Sequence, residues 1–144
     1  MWWFDKGKRK EVWDEEIQWP LGDIEAAHII RDICRSAADS AETTGGVAER
    51  QENQNNKTNK NKNNENKDSR RNAYEADRYE RAAKAAMEIA IKISDELLRD
   101  SSVRQIVDLC MKAGDLRTAR ILFRAIQTPS IKAEVRNDHP MLRQ

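Results

Sequence analysis

An all-α fold is predicted for this chain: antiparallel helical hairpins, preceded by an aromatic N-terminal segment and interrupted by a long disordered linker. Three observations predict it. Outside residues 47–70, apolar residues recur at three- and four-residue steps, the spacing that gathers them on one face of a helix. Glycine, proline and aspartate punctuate these runs where helices should stop and start. Residues 51–67 contain no apolar side chain, so nothing there can offset the entropy of ordering them. The expected organisation is an aromatic segment plus helix over 1–46, a disordered Asn/Lys-rich linker over 47–70, and a helical region over 71–144 that forms one composite domain with 1–46.

The N-terminal segment holds all four tryptophans, Trp2, Trp3, Trp13 and Trp19, with Phe4, Val12 and Ile17 among them. Each Trp can bury about 150–250 Å2, and four left exposed would exceed the roughly 300–600 Å2 apolar patch that monomers tolerate. They are expected to cover the helices; the alternatives are a partner surface and membrane insertion beside Lys6, Lys8, Arg9 and Lys10, which Asp14, Glu15 and Glu16 oppose. Pro20 and Gly22 close the segment. Asp23 then suits a helix cap, and Ile24, Ala27, Ile30, Cys34, Ala37 and Ala41 follow at helical steps, with Ile29 and Ile33 widening the apolar face. Gly45-Gly46 is the expected stop. His28 lies beside this face with no second ligand at metal spacing, which makes it a structural histidine.

Past the linker a helix is expected from about Asn72, burying Tyr79, Ala82, Ala86, Ile89 and Ile93, with Ala83 and Ala90 alongside. Ser94-Asp95 reads as its stop and the cap of the next helix, Glu96 to Ala113, whose apolar positions are Leu97, Val103, Ile106, Val107, Cys110 and Met111. Gly114 suits the left-handed position that closes this helix, and Asp115 suits the cap of another. In that helix Leu116, Ala119, Phe123 and Ile126 share one face, while Arg117, Arg120 and Arg124 share another. Pro129 ends it. A last short helix from Ser130 uses Ile131 and Val135 and must finish before Pro140.

Composition removes several function classes. Lys plus Arg number 26 against 25 for Asp plus Glu, so the net charge of +1 points to no particular polyanion. The charge is unevenly spread: residues 1–44 carry six basic and ten acidic side chains, 45–71 seven and four, and 72–144 thirteen and eleven. Cys34 and Cys110 are too few for a disulfide framework or a metal cage and read as buried free thiols. No catalytic constellation, glycine-rich phosphate loop or paired-Cys spacing is present, so the chain reads as a non-enzyme without cofactor or metal. No stretch has the apolar length of a membrane span or of a secretory signal, which makes the cytoplasm the expected location.

The run Ala113-Gly-Asp-Leu-x-x-Ala119-x-x-x-Phe123-x-x-Ile126 resembles the second half of a tetratricopeptide repeat, with Val103, Ile106, Val107 and Cys110 at the apolar positions of its first helix. A shift of 33 residues sets Ala86 against Ala119, Ile89 against Leu122 and Ile93 against Ile126. The resemblance covers about residues 85–136, and pentatricopeptide repeats, which bind single-stranded RNA, share much of the pattern. It implies hairpins of repeat type and a concave side lined by the first helix, so that Arg104, Asp108 and Met111 would face a protein partner. The expected function is a protein–protein interaction module, an accessory or scaffold subunit of a larger assembly. Two alternatives stay open: a small RNA- or DNA-binding accessory protein using Arg117, Arg120 and Arg124 as a polyanion-binding stripe, and a structural component of a virion or secretion machine. Such units usually need about three repeats to bury their faces, so an oligomer stays open as well.

Overall fold

The computed structural model describes the backbone of residues 10–54 and 62–143, with side chains at 10–47 and 67–143. Among these residues the protein is all-helical. A 3-10 turn at Val12–Asp14 precedes five α-helices: α1 (Asp23–Gln54), α2 (Lys62–Ala90), α3 (Glu96–Lys112), α4 (Leu116–Ala125) and α5 (Pro129–Asp138). A second 3-10 turn, Pro140–Leu142, closes the described chain. Helices α1, α2 and α3 all touch one another, α4 lies on α3, and α5 touches α3 while the last 3-10 turn bridges α4 and α5.

The core follows from the sequence periodicity with one rotation. On α2 every expected position is buried, from Tyr79 through Ala82, Ala86 and Ile89 to Ile93 just past the helix. On α1 the buried stripe is Ala26, Ile30, Ile33, Ala37 and Ala41, whereas Ile24 is 63% exposed. The alanines on both helices leave little between the backbones, which allows α1 and α2 to approach closely. On α3 Val103, Ile106, Val107 and Cys110 are buried with Leu109, and Leu97 is exposed. Ala119, Phe123, Ile126, Ile131 and Val135 complete the core as expected, and Leu142 joins it at 1% exposure.

Helix α1 does not end at Gly45-Gly46 but runs on to Gln54. Extending an existing helix adds one hydrogen bond per residue with no new nucleus, which offsets the roughly 1 kcal/mol each interior glycine costs. Gly45 also has a packing reason to be there. A Cβ at this position would lie 2.1 Å from the Lys112 carbonyl oxygen, so only glycine lets α1 pass the end of α3. Likewise α2 begins at Lys62, ten residues before its expected start near Asn72. Helices thus enter the 47–70 tract from both sides, while residues 55–61, at its centre, lie outside the described residues.

Helix ends in the C-terminal part match the expected chemistry. Gly114 has φ 72°, and its N–H and that of Asp115 donate to the carbonyls of Met111 (3.1 Å) and Cys110 (2.9 Å), a Schellman closure of α3. Asp95 caps α3 through the Leu98 N–H (2.8 Å), and Asp115 caps α4 through that of Thr118 (3.2 Å). Asp23 differs from its expected part. The Ala26 N–H donates to the Gly22 carbonyl (3.0 Å), so α1 starts a residue early and Asp23 sits inside it. Its carboxylate instead accepts the N–H groups of Ser94 (3.1 Å) and Asp95 (2.9 Å), holding the α2–α3 turn against the start of α1.

Trp13 and Ile17 pack against the core, and the 3-10 turn that carries Trp13 touches both α1 and α2. The Arg78 guanidinium lies 5.0 Å from the Trp13 ring and grips both Glu11 carboxylate oxygens at 2.7 and 3.0 Å. The same guanidinium donates to Ser40 Oγ (2.7 Å), and Ser40 donates in turn to Glu75. Trp19 is 40% exposed under Lys92, 4.2 Å away. Trp2, Trp3 and Phe4 lie outside the described residues.

Candidate functional site

Helices α1 and α3 lie side by side, and between them runs an open groove of about 410 Å3. Its floor is Cys34 and Ala38 from α1 and the buried Leu109 from α3. Arg31 and Arg35, one helical turn apart on α1, form one rim, and Lys112 stands exposed on the other beside Asp108. Asp108 is already engaged: His139 Nε2 lies 2.8 Å from its carboxylate. The rim therefore presents three cations to solvent, while its one carboxylate is held by the residue that ends α5.

The three residues assigned to a partner surface are on α3, but α5 reaches two of them. Arg104 bridges Glu134 and Asp138, the latter at 3.0 Å, and Asp108 meets His139. Met111 is half-buried against the core. Of the three, Asp108 alone lines the groove. Arg31, Arg35 and Lys112 were missed by sequence reasoning, although the four-residue spacing of the two arginines is visible in it.

A second, smaller cleft of about 130 Å3 opens between α4 and α5. Arg120, Phe123 and Arg124 of α4, Lys132 and Arg136 of α5, and Leu142 line it. The expected arginine stripe is thus divided: Arg120 and Arg124 face this cleft and Arg117 is exposed outside its lining. Lys132 and Arg136 lie 5.2 and 5.6 Å from the centre of the Phe123 ring, within reach of its π face. Their four-residue spacing repeats that of Arg120 and Arg124, but only the packing of α5 shows that the two pairs converge.

Titration behaviour limits what the groove can do. Burial pushes the Cys34 thiol up to about 12, with smaller contributions from Cys110 and Asp108, so it stays a neutral thiol at pH 7 and is a poor nucleophile. Cys110 is pushed up to about 11, again chiefly by burial. Tyr79 is raised too, first by burial and then by its hydrogen bond with Cys110, and its hydroxyl donates to Asp115 at 2.7 Å. Both cysteines are free. Among the described residues no group of three His, Cys, Asp or Glu side chains could hold a metal ion, and no helix is long and apolar enough to cross a membrane. Comparison with protein-family models, with curated proteins and with solved structures finds no match.

Proposed function

We propose that the protein is a non-catalytic interaction module that takes an acidic segment of a partner protein into the groove between α1 and α3. One observation supports this most directly: an apolar floor of Cys34, Ala38 and Leu109 bordered by Arg31, Arg35 and Lys112. A segment with apolar residues on one side and carboxylates on the other would bury the first on the floor and pair the second with the rim. Rim charges of this kind set partner choice and association rate more than affinity, while the apolar contacts supply the binding energy. The tetratricopeptide-like reading also assigns the first helix of a hairpin, here α3, to the partner side, but of the residues it names only Asp108 lines this groove.

A labelled peptide alternating Glu and Leu is a direct probe. It should bind the full chain, and reversing Arg35 and Lys112 to Glu should weaken binding by about tenfold or more, as like-charge juxtaposition costs more than one kcal/mol. Reversing the exposed Arg117 should change nothing beyond a small salt-dependent effect. Equal affinity in the wild type and the groove variant would sink the proposal. The nucleic-acid reading has one observation in its favour, the convergence of Arg120 and Arg124 with Lys132 and Arg136. Micromolar binding of a generic single-stranded RNA, with affinity falling steeply as salt rises, would promote it over the peptide groove.

A further inference from the structure

The cleft between α4 and α5 carries an inference independent of the groove. Six residues line it, four of them cationic and none acidic. The acids that could have neutralised it are on the same helix but turned elsewhere: Glu134 and Asp138 of α5 are both bound by Arg104 of α3. Helix α5 thus sorts its charges, acids toward α3 and bases toward α4. Within the lining, Arg120 Nε is buried and has no hydrogen-bond partner among the described residues. A buried donor with no acceptor is costly, which marks the Arg120 guanidinium as under-satisfied beside the cleft that Arg120 lines. The Phe123 ring, with Lys132 on one helical turn of α5 and Arg136 on the next, fixes where those two charges stand.

The lining narrows the ligand: a small cleft of about 130 Å3 bordered by guanidinium and ammonium groups suits a compact oxyanion. Guanidinium groups bind such oxyanions through paired charge-assisted hydrogen bonds, and an ammonium adds a point charge. We propose that Arg120, Lys132 and Arg136 form a binding site for a phosphate group, carried free or as a small phosphomonoester, with Phe123 as its apolar wall. Arg124 also lines the cleft and has a further interaction of its own, so the site does not depend on it.

The test is a titration of the full, isotope-labelled chain with inorganic phosphate and, separately, with glycerol 3-phosphate, at constant ionic strength. Saturable shifts are expected at the side-chain N–H signals of Arg120 and Arg136 and at the amides around Lys132, with a dissociation constant of about a millimolar or tighter. Tighter binding of the ester than of the free ion would identify a phosphomonoester as the ligand, and equal or weaker binding would identify phosphate itself. Lys132→Gln and Arg136→Gln, both near the surface of α5, should each weaken binding by about tenfold. Arg117→Gln, outside the cleft, should leave it unchanged. Arg120→Gln is the sharper variant, and a helical circular dichroism spectrum like that of the wild type is the condition for reading it; the two α5 variants carry the test by themselves. Linear, unsaturated shifts, or equal losses in Arg117→Gln and Arg136→Gln, would overturn the site. So would single-stranded RNA that binds while both phosphates fail, since that outcome calls for an extended basic surface and not a cleft.

Discussion

The α1–α2 pair and the α3–α5 unit are held together in different ways. Helices α1 and α2 are in contact, and what they bury is small and branched apolar side chains, Ala26, Ile30, Ile33, Ala37 and Ala41 on one and Ala82, Ala83, Ala86, Ile89 and Ala90 on the other. One polar node, Glu11–Arg78–Ser40–Glu75, secures the contact. From α3 onward nearly every junction has a directed polar contact. Asp95 and Asp115 cap helices, and the buried Asp100 carboxylate accepts the N–H groups of Gln127 (3.1 Å) and Thr128 (2.7 Å) and the Thr128 hydroxyl (2.6 Å). Arg104 and Asp108 then hold α5. The difference shows how element length selects the means of fixation: α1 and α2, at 32 and 29 residues, bury enough side chains to align themselves, whereas α4 and α5, at 10 residues each, do not.

Breaking the short-helix unit should therefore have the largest effects. Phe123→Ala should lower stability by about 3–5 kcal/mol, as truncation of buried aromatics does, and urea denaturation would measure it. A variant with the wild-type midpoint would show that α4 is held by its polar contacts alone. Asp100→Ala leaves two backbone donors without their acceptor and should cost about 3 kcal/mol, seen first as loss of protection from hydrogen exchange at Thr128 and along α5. If protection is lost equally in α1 and α2, the two regions unfold as one and the contrast between them fails.

Cys34 on α1 and Cys110 on α3 allow the contact between the two regions to be probed by pH. Both folded thiols ionise well above the ordinary value of 9.0, at about 12 and about 11. Above pH 9 the unfolded chain loses these protons while the native chain keeps them, so stability is fully present below pH 9 and falls as pH rises toward 11–12. At pH 10 the loss should be about 2–3 kcal/mol for the two thiols together, since each tenfold difference in proton affinity between the folded and unfolded chain is worth roughly 1.4 kcal/mol. Chemical denaturation of the Cys34→Ala/Cys110→Ala variant from pH 8 to 10 should show a flatter decline. An unchanged slope would place the alkaline lability elsewhere, with the raised Tyr79 as the first suspect.

The smallest effects should come from the adjacent glycines of α1, and they should have opposite signs. Gly46→Ala meets nothing within 4 Å and should stabilise by about 0.5–1 kcal/mol through helix propensity. Gly45→Ala drives a methyl into the Lys112 carbonyl and should destabilise by about 1–2 kcal/mol despite the same propensity gain. Thermal melts of the two variants would decide it. Stabilisation by both would mean that α1 and the end of α3 separate more readily than their packing implies.

By itself the sequence determined the helical class, the buried stripe of α2, and the Asp95, Gly114 and Asp115 boundaries. These depend on spacing and on backbone chemistry a few residues long, so a local reading suffices. It also held Phe123, Ala119 and Ile126 on one face, since positions three and four apart on a helix must coincide. Tertiary structure decided everything that depends on a neighbour. Gly45-Gly46 looks like a stop until α3 is set beside it, and then Gly45 becomes the point of closest approach. Ile24 and Leu97 fit the helical period but lie near the starts of α1 and α3, where no described residue buries them. Asp100 gives no sign in sequence of the turn it holds, because its partners are 27 and 28 residues away. Both candidate sites arise the same way: Arg35 shares a groove with Lys112, and Arg120 a cleft with Arg136, only after separate helices are packed, so charge that reads as an ordinary solvated face along one helix gathers with that of another.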